Sequence, residues 1–278
     1  MNKTKRGILY IVPTPIGNLE DITFRAIKIL KKVEWIAAED TRKSSKLLSH
    51  FDISNRLISY HKFNERSRVE QILNILDQNK DVAVISDAGT PSISDPANII
   101  IKEAIQENIR IEVLPGATAF IPALVASGFV DTHFFFAGFL AKKKIARESF
   151  LEKMKEFPYP MIFYESPHRV LSFLKVIRKY FGNRKVSIAR EISKVYETYY
   201  RTNIDEILNK EIEIKLKGEF VIVIAGFEEQ ALSNEVIKFK LKEIIRQGVT
   251  RKTAIKQIVE ETGAQKNRVY QIALEIDK

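Results

Sequence analysis

The chain has 278 residues, no cysteine and a formal charge of +10, with an isoelectric point near 9.5. Its length allows two or three modest domains, and a composition that is 45% hydrophobic and 29% charged excludes disordered and collagen-like chains. The missing cysteine excludes thiol catalysis, disulfides and cysteine zinc sites, while the positive charge favours a polyanionic partner, because Lys and Arg that neutralise phosphates release counterions. The basic residues are spread along the chain, and Lys142, Lys143 and Lys144 with Arg147 read either as a solvated helix face or as a phosphate patch.

At the start, MNKTKRGILYIVP sets basic residues before an apolar run that Pro13 cuts short, too brief for a signal-peptide core. The longest apolar stretches, such as 133–141, fall well below the roughly 20 residues that span a bilayer. A cytoplasmic protein with no membrane contact is expected. Segments 8–12, 33–38, 82–85 and 111–114 read as strands, the first, third and fourth nearly all apolar, as in strands buried on both faces. Between them, 23–32 and 67–79 read as helices, and in the latter Val69, Ile72, Leu73 and Leu76 recur at the spacing of one helix face. This alternation predicts an α/β layer with a mostly parallel sheet. Further strands are expected at 134–138, 160–164, 186–190, 196–201 and 220–225, with fewer helices between them, so a second, mixed-sheet α/β domain should follow a boundary near 128–132. The expected division is 1–128, 129–228 and 229–278.

The last fifty residues read as helices only: 236–246 ending at Gly248, 251–261 after a Thr250 cap and ending at Gly263, and 266–276. They resemble a helix-turn-helix. The alternative is a helical cap that packs Ile255, Ile258, Val269 and Ile272 against the body; a nucleic-acid role requires Arg251, Lys252, Lys256, Lys266 and Arg268 to share a face.

Ligands of open α/β sheets sit outside the carboxyl ends of the strands, so the strand-to-helix junctions are where chemistry is expected. In SDAGTPSISDP (86–96), Ala88 and Gly89 allow close approach to the backbone, and Asp95 before Pro96 reads as an N-cap with a proline in the first helical position. The run 114–118 (LPGAT) is a similar small-residue turn with a helix starting at Thr118, and YESPHR (164–169) repeats the device with Ser166 as cap and Pro167 following. With VPTPIGNL after the first strand, these loops point to one shared site. There is no GxGxxG in the first turn and no GxxxxGK[ST], which leaves out the familiar nucleotide cradles. His50, His61, His133 and His168 lack metal-ligand spacing, so no metal is expected.

Together, LYIVPTPIGNLEDIT (9–23), AEDTRKSSKLL (38–48), SDAGTPSISDP, PGATA (115–119), FYESPHR (163–169) and GEFVIVI (218–224) resemble the tetrapyrrole methylase superfamily over nearly the whole chain. Within it they are most similar to the branch that methylates a cytidine ribose 2'-oxygen of 16S ribosomal RNA in the small subunit. That branch carries a helix-turn-helix-like extension, which the helical tail matches. The resemblance implies two α/β domains of that type, S-adenosylmethionine (SAM) in the cleft between them, and a homodimer. Carried over by motif, cofactor contacts are expected at Pro13 and Ile16, at Asp87, Ala88 and Gly89, at Thr118 and Ala119, at Tyr164, and at Phe220 and Val221. At 86–89, the contact falls either to the Asp87 side chain or to the backbone of Ala88 and Gly89. A ribose hydroxyl needs a base or a charge-stabilising group beside it, and Glu39, Asp40 and Arg42, Glu165, and Arg190, Glu191 and Lys194 are the candidates, against a reading as domain-interface ion pairs. Two other readings stay open: a methyltransferase acting on a tetrapyrrole acid, and a non-catalytic RNA-binding protein on the same fold.

Overall fold

A computed structural model of the chain describes residues 6–95, 97–130, 132–228 and 233–277. The chain forms two compact units, Met1–Phe227 and Glu228–Lys278. The first unit contains two five-stranded sheets. One comprises β1 (Leu9–Ile11), β2 (Trp35–Ala38), β3 (Arg56–Ser59), β4 (Val82–Ile85) and β5 (Ile111–Val113), in the order β3-β2-β4-β1-β5 with every neighbour parallel. Helices α1 (Phe24–Lys32), α2 (Thr41–His50), α3 (Glu65–Asp77) and α4 (Asn98–Gln106) connect its strands.

The nearly unbroken apolar strands have a direct cause. Val82 and Val84 of β4 pack with Val69, Ile72 and Leu76 of α3 and Ile100 of α4, whereas Ala83 and Ile85 face Leu30 of α1 and Leu48 of α2. Both faces are covered, so neither can carry polar side chains. The periodicity of α3 is realised, with Val69, Ile72 and Leu76 buried and Leu73 packed beside them. Two elements lack a clear pattern in the sequence: β3, an edge strand with exposed Arg56, and α2, whose TRKSSKLLSH buries only Ser44 and Leu48.

After α5 (Phe120–Ser127), the second sheet comprises β6 (Phe135–Phe139), β7 (Met161–Glu165), β8 (Lys185–Arg190), β9 (Thr198–Asn203) and β10 (Phe220–Ile224). Its order is β6-β7-β10-β8-β9, with only β6 and β7 parallel, which makes it the mixed sheet expected. Helices α6 (Lys144–Met154), α7 (Val170–Phe181) and α8 (Ile204–Leu208) belong to its far layer, where Leu151, Phe173, Leu174 and Ile207 pack on Phe163, Ile188 and Ile222. On the opposite face, Ala123 and Leu124 of α5 cover Ile162, Ala189, Val221 and Val223.

Several helix and strand starts lie downstream of where the sequence puts them. The loop after β5 runs on to Ala119, so α5 begins at Phe120 and not Thr118. Asp95 closes a turn by accepting the amides of Ser92 (2.8 Å) and Ala97 (3.2 Å) instead of capping a helix, and α4 starts at Asn98; Pro96 lies outside the described residues. Ser166 does not cap α7 either. Its hydroxyl and its amide both face Glu165 Oε1, and a turn closed by the Arg169 amide on the Ser166 carbonyl (2.9 Å) precedes the helix. Tyr196 falls in a turn before β9, because Glu191 (φ 53°) and Ser193 (φ 65°) take left-handed conformations that end β8 at Arg190.

The second unit is a trio of helices, α9 (Asn234–Arg246), α10 (Arg251–Thr262) and α11 (Lys266–Leu274). Thr250 caps α10 by accepting the Thr253 amide, and Gly263 ends it in the left-handed conformation. Ile255, Ile258, Val269 and Ile272 pack with Ile237 and Leu241 of α9, so the residues expected to cap the body form this unit's own core. Lys252, Lys256 and Lys266 are exposed; Arg268 bonds Asn234, and Lys256 lies 3.7 Å from Glu260. No helix among the described residues is long and apolar enough to cross a membrane.

Candidate active site

The carboxyl ends of β1, β2, β4 and β5 converge on one cleft, and backbone hydrogen bonds fasten their loops to each other. The Thr14 amide donates to the Gly89 carbonyl (3.0 Å) and the Gly89 amide to the Thr14 carbonyl (2.9 Å). Thr14 is buried and its hydroxyl donates to the Ser86 carbonyl (3.0 Å), while the Ser86 hydroxyl donates to the Gly89 carbonyl (3.0 Å). Thr90 extends the lock to the β5–α5 loop by donating to the Ala117 carbonyl (3.0 Å). Gly89 has φ +81°, a region L side chains rarely adopt, and a Cβ there would stand 3.4 Å from Ile16 Cγ2.

The cleft has a volume of about 410 Å³, within the range of small-molecule sites. The first sheet contributes Ile16, Glu39, Asp87, Ala88, Gly89, Asp95, Thr118 and Ala119, and the second contributes Phe139, Tyr164, Glu165, Phe220 and Val221. The walls are mostly apolar, with carboxylates set into them. Burial, followed by the charges of Asp87 and Asp95, pushes the Glu39 carboxyl up; burial likewise raises Asp95. Burial also pushes the Tyr164 phenol up to about 12. Glu165 is 3% exposed: its Oε1 accepts the Ser166 amide (2.8 Å), but its Oε2 has no hydrogen-bond partner among the described residues, the Arg169 guanidinium 3.3 Å away being within ion-pair range without hydrogen-bond alignment. The Arg169 cation offsets the charge of this buried oxygen without completing its hydrogen bonding.

Asp87 lines the cavity but turns its carboxylate toward α2, accepting the Asp40 amide (3.0 Å) and Lys43 Nζ (2.6 Å). The Gly89 amide and carbonyl are both hydrogen-bonded to Thr14, so at 86–89 the Asp87 carboxylate and the Gly89 backbone groups alike have protein partners, while Asp87, Ala88 and Gly89 all line the cavity. Pro13 packs beneath the floor, against Gly116, where an added Cβ would come within 2.5 Å of it. Arg42 is 88% exposed and paired with Asp40, whose carboxyl it holds down at about 2 through a side-chain hydrogen bond. Glu191 accepts the Glu219 amide (2.9 Å) and Lys194 Nζ (3.0 Å), anchoring the 191–197 turn. Lys194 also bonds Glu219 (2.8 Å) and lines a neighbouring groove. Arg190 is buried, donating to the carbonyls of Lys217 (2.6 Å) and Tyr196 (3.0 Å). Thus Glu39 and Glu165 reach the cavity, and Asp40, Arg42, Arg190, Glu191 and Lys194 stand outside it.

The sequence pattern of the family described as Tetrapyrrole (Corrin/Porphyrin) Methylases matches residues 8–208. The chain belongs to the tetrapyrrole methylase family. Among its relatives, the ribosomal RNA small subunit methyltransferase I of Halalkalibacterium halodurans is 42% identical over 273 residues, covering 96% of this chain and 94% of that protein. The proteins of the same name from Synechocystis and Bacillus subtilis are each 40% identical over 275 residues, covering 98% and 96% of this chain and 99% and 94% of theirs. Solved structures of this fold include a uroporphyrin-III-C-methyltransferase from Thermus thermophilus, at TM-score 0.56 and 15% identity over 79% of this chain and 94% of that one. A diphthine synthase follows at TM-score 0.61 and 11% identity, covering 79% and 90%. At such identities the likeness is one of fold. The Thermus protein has also been solved complexed with S-adenyl homocysteine.

In this tetrapyrrole methylase, several cavity residues carry no sequence signal of their own. Ile93 and Asp95 belong to the 86–96 motif and could have been found by extending it. Glu219 likewise belongs to the 218–224 motif, but Phe139 and Ile192 lie in no quoted motif, and the second sheet's fold brings them to the cavity.

Proposed function

We propose that the cleft binds SAM and that the chain methylates a cytidine ribose 2'-oxygen of 16S ribosomal RNA in the small subunit, as a cytoplasmic homodimer. The observation that carries this reading is the 40–42% identity, over nearly the whole chain, to proteins named ribosomal RNA small subunit methyltransferase I. We divide the chain into 1–128 and 129–228, which together form the cleft, and a helical extension, 229–278, whose exposed Lys252, Lys256 and Lys266 suit phosphate contacts.

The residues present fit the cofactor. Gly89 and Ala88 let a ligand lie against the backbone, Ile16, Phe220 and Val221 offer an apolar wall, and Glu165 Oε2, ion-paired with Arg169 but without a hydrogen bond among the described residues, can accept one from a ligand donor. When bound, SAM supplies an electrophilic methyl group carried on a cationic sulfur. The apolar walls exclude water, which strengthens the field of the wall carboxylates. Glu39 and Glu165 are the two cavity carboxylates assigned to the ribose hydroxyl, and burial with the charges of Asp87 and Asp95, by raising the Glu39 carboxyl, makes Glu39 more basic than an ordinary carboxylate. A homodimer is supported by exposed Val113, Ile121 and Val125, apolar surface on and near α5.

Calorimetry with SAM and transfer of a labelled methyl group to small ribosomal subunits test the proposal. Binding with transfer supports it; binding without transfer to RNA, but with transfer to a tetrapyrrole acid, favours that class; failure to bind leaves only a non-catalytic role.

A further inference from the structure

We propose that the groove between α2 and the 191–197 turn binds a phosphate of the RNA strand next to the methylated ribose, with Lys46 as its contact. This rests on the reading of the chain as an RNA 2'-O-methyltransferase. The groove has a volume of about 400 Å³ and is lined by Lys43, Lys46 and Lys194. It opens directly beside the cofactor cleft, because Ile16, Asp87, Ala88 and Glu219 line both.

The chemistry of the substrate demands an anion site in such a place. In RNA, the 2'-oxygen and the 3'-phosphate hang on adjacent ribose carbons. Any cleft that takes the hydroxyl must therefore hold a phosphate within one nucleotide's reach. The cleft itself is the wrong place for it, since Glu39, Asp87, Asp95, Glu165 and Glu219 line it with no Lys or Arg among its lining residues, whereas in the groove the two shared acids, Asp87 and Glu219, are paired with Lys43 and Lys194. The adjoining groove is the basic side of the same opening.

The lysines of the groove are not equivalent. Lys43 is committed to Asp87 (2.6 Å), and Lys194 to Glu191 (3.0 Å) and Glu219 (2.8 Å). Lys46, exposed on α2, has no ion-pair or hydrogen-bond partner among the described residues. It follows Arg42 by four residues and Lys43 by three, so three like charges share one helix face, and TRKSSKLLSH carries no acid to offset them. Arg42 and Lys43 also sit in the first turn, where the helix's own positive end disfavours cations. Asp40 and Asp87 relieve those two residues alone. Lys46 is left as the groove lysine without a carboxylate partner among the described residues, and a lysine ammonium is a compact point charge suited to one phosphate oxygen.

The test uses the full chain, SAM and small-subunit ribosomal RNA, both free and in small subunits, comparing wild type with Lys46→Ala, Lys46→Arg and Lys46→Glu. Lys46→Ala is expected to raise the KM for RNA by about 5- to 10-fold and to reduce the slope of log affinity against log salt by about 0.7 to 0.9, one phosphate contact. Lys46→Arg should restore both, Lys46→Glu should be worse than Ala, and SAM affinity should be the same in all four proteins. A Lys46→Ala protein with the wild-type KM and salt slope overturns the phosphate site while leaving the function standing. A wild type that transfers no methyl group to RNA overturns the function, and this site with it.

Discussion

Replacing Gly89 by alanine tests whether the interlocked loops build the cofactor cleft. At φ +81°, an L residue costs about 1–2 kcal/mol. The added Cβ itself meets Ile16 Cγ2 at 3.4 Å and the Ala117 carbonyl at 3.5 Å, ordinary contacts that add little. Rotation to negative φ would escape the strain but sacrifice the paired bonds with Thr14, at about 0.5–1.5 kcal/mol each. Either route costs about 1–3 kcal/mol, a fall in Tm of roughly 2–10 °C for a unit of this size. The damage falls on the cleft wall, so SAM affinity in calorimetry should drop at least about tenfold, equivalent to roughly 1.4 kcal/mol. Gly128→Ala is the control: φ is +74°, nothing lies within 4 Å of the added Cβ, and the residue does not line the cleft. It should lower Tm comparably and leave SAM binding intact. Wild-type SAM affinity in Gly89→Ala, or an equal loss in Gly128→Ala, would refute the reasoning.

Glu39→Gln should abolish most methyl transfer while SAM binding persists, as measured by turnover and calorimetry on the same protein. Because burial raises the folded-state pKa of Glu39, its stabilising contribution is complete below the unfolded value of about 4.3 and is lost as pH rises through the folded value. The Gln variant should therefore gain Tm over wild type at neutral pH, and the two curves should converge in acid. Ser187 is fully buried in β8 with no partner for its hydroxyl among the described residues, so Ser187→Ala should raise stability by about 1 kcal/mol in urea unfolding; a loss of that size would contradict the unsatisfied hydroxyl. Thr250→Ala removes the α10 cap and should cost about 1 kcal/mol in the helical unit, read by amide exchange of α10, with protection in the sheets unchanged.

The sequence reveals what repeats along it. All-apolar β1 and β4 and the one-sided periodicity of α3 follow from burial, and burial is what hydrophobic spacing records. The helical tail shows equally well, because Thr250 and Gly263 bound its central helix by local chemistry. Helix α2 is hard to see, because it buries little and its exposed residues are Arg42, Lys43, Lys46, serines and His50; β3 is hard to see because an edge strand needs only one apolar face. The cleft motifs are legible as loops, but side-chain direction is not. Nothing local predicts that Asp87 turns to α2, that Glu191 and Lys194 anchor a turn, or that Glu165 Oε2 pairs with Arg169 without a hydrogen bond among the described residues. Those facts depend on residues that fold together from both sheets.

The central claim is a methyl group on a ribose oxygen of small-subunit RNA. Incubation of the wild-type chain with methyl-labelled SAM and small ribosomal subunits, followed by alkaline hydrolysis of the RNA, tests it directly, because a 2'-O-methylated ribose cannot assist cleavage of its own phosphodiester. The account predicts label in a single alkali-resistant dinucleotide that begins with cytidine. Label recovered as a methylated base in mononucleotides, or no label in RNA at all, would contradict it.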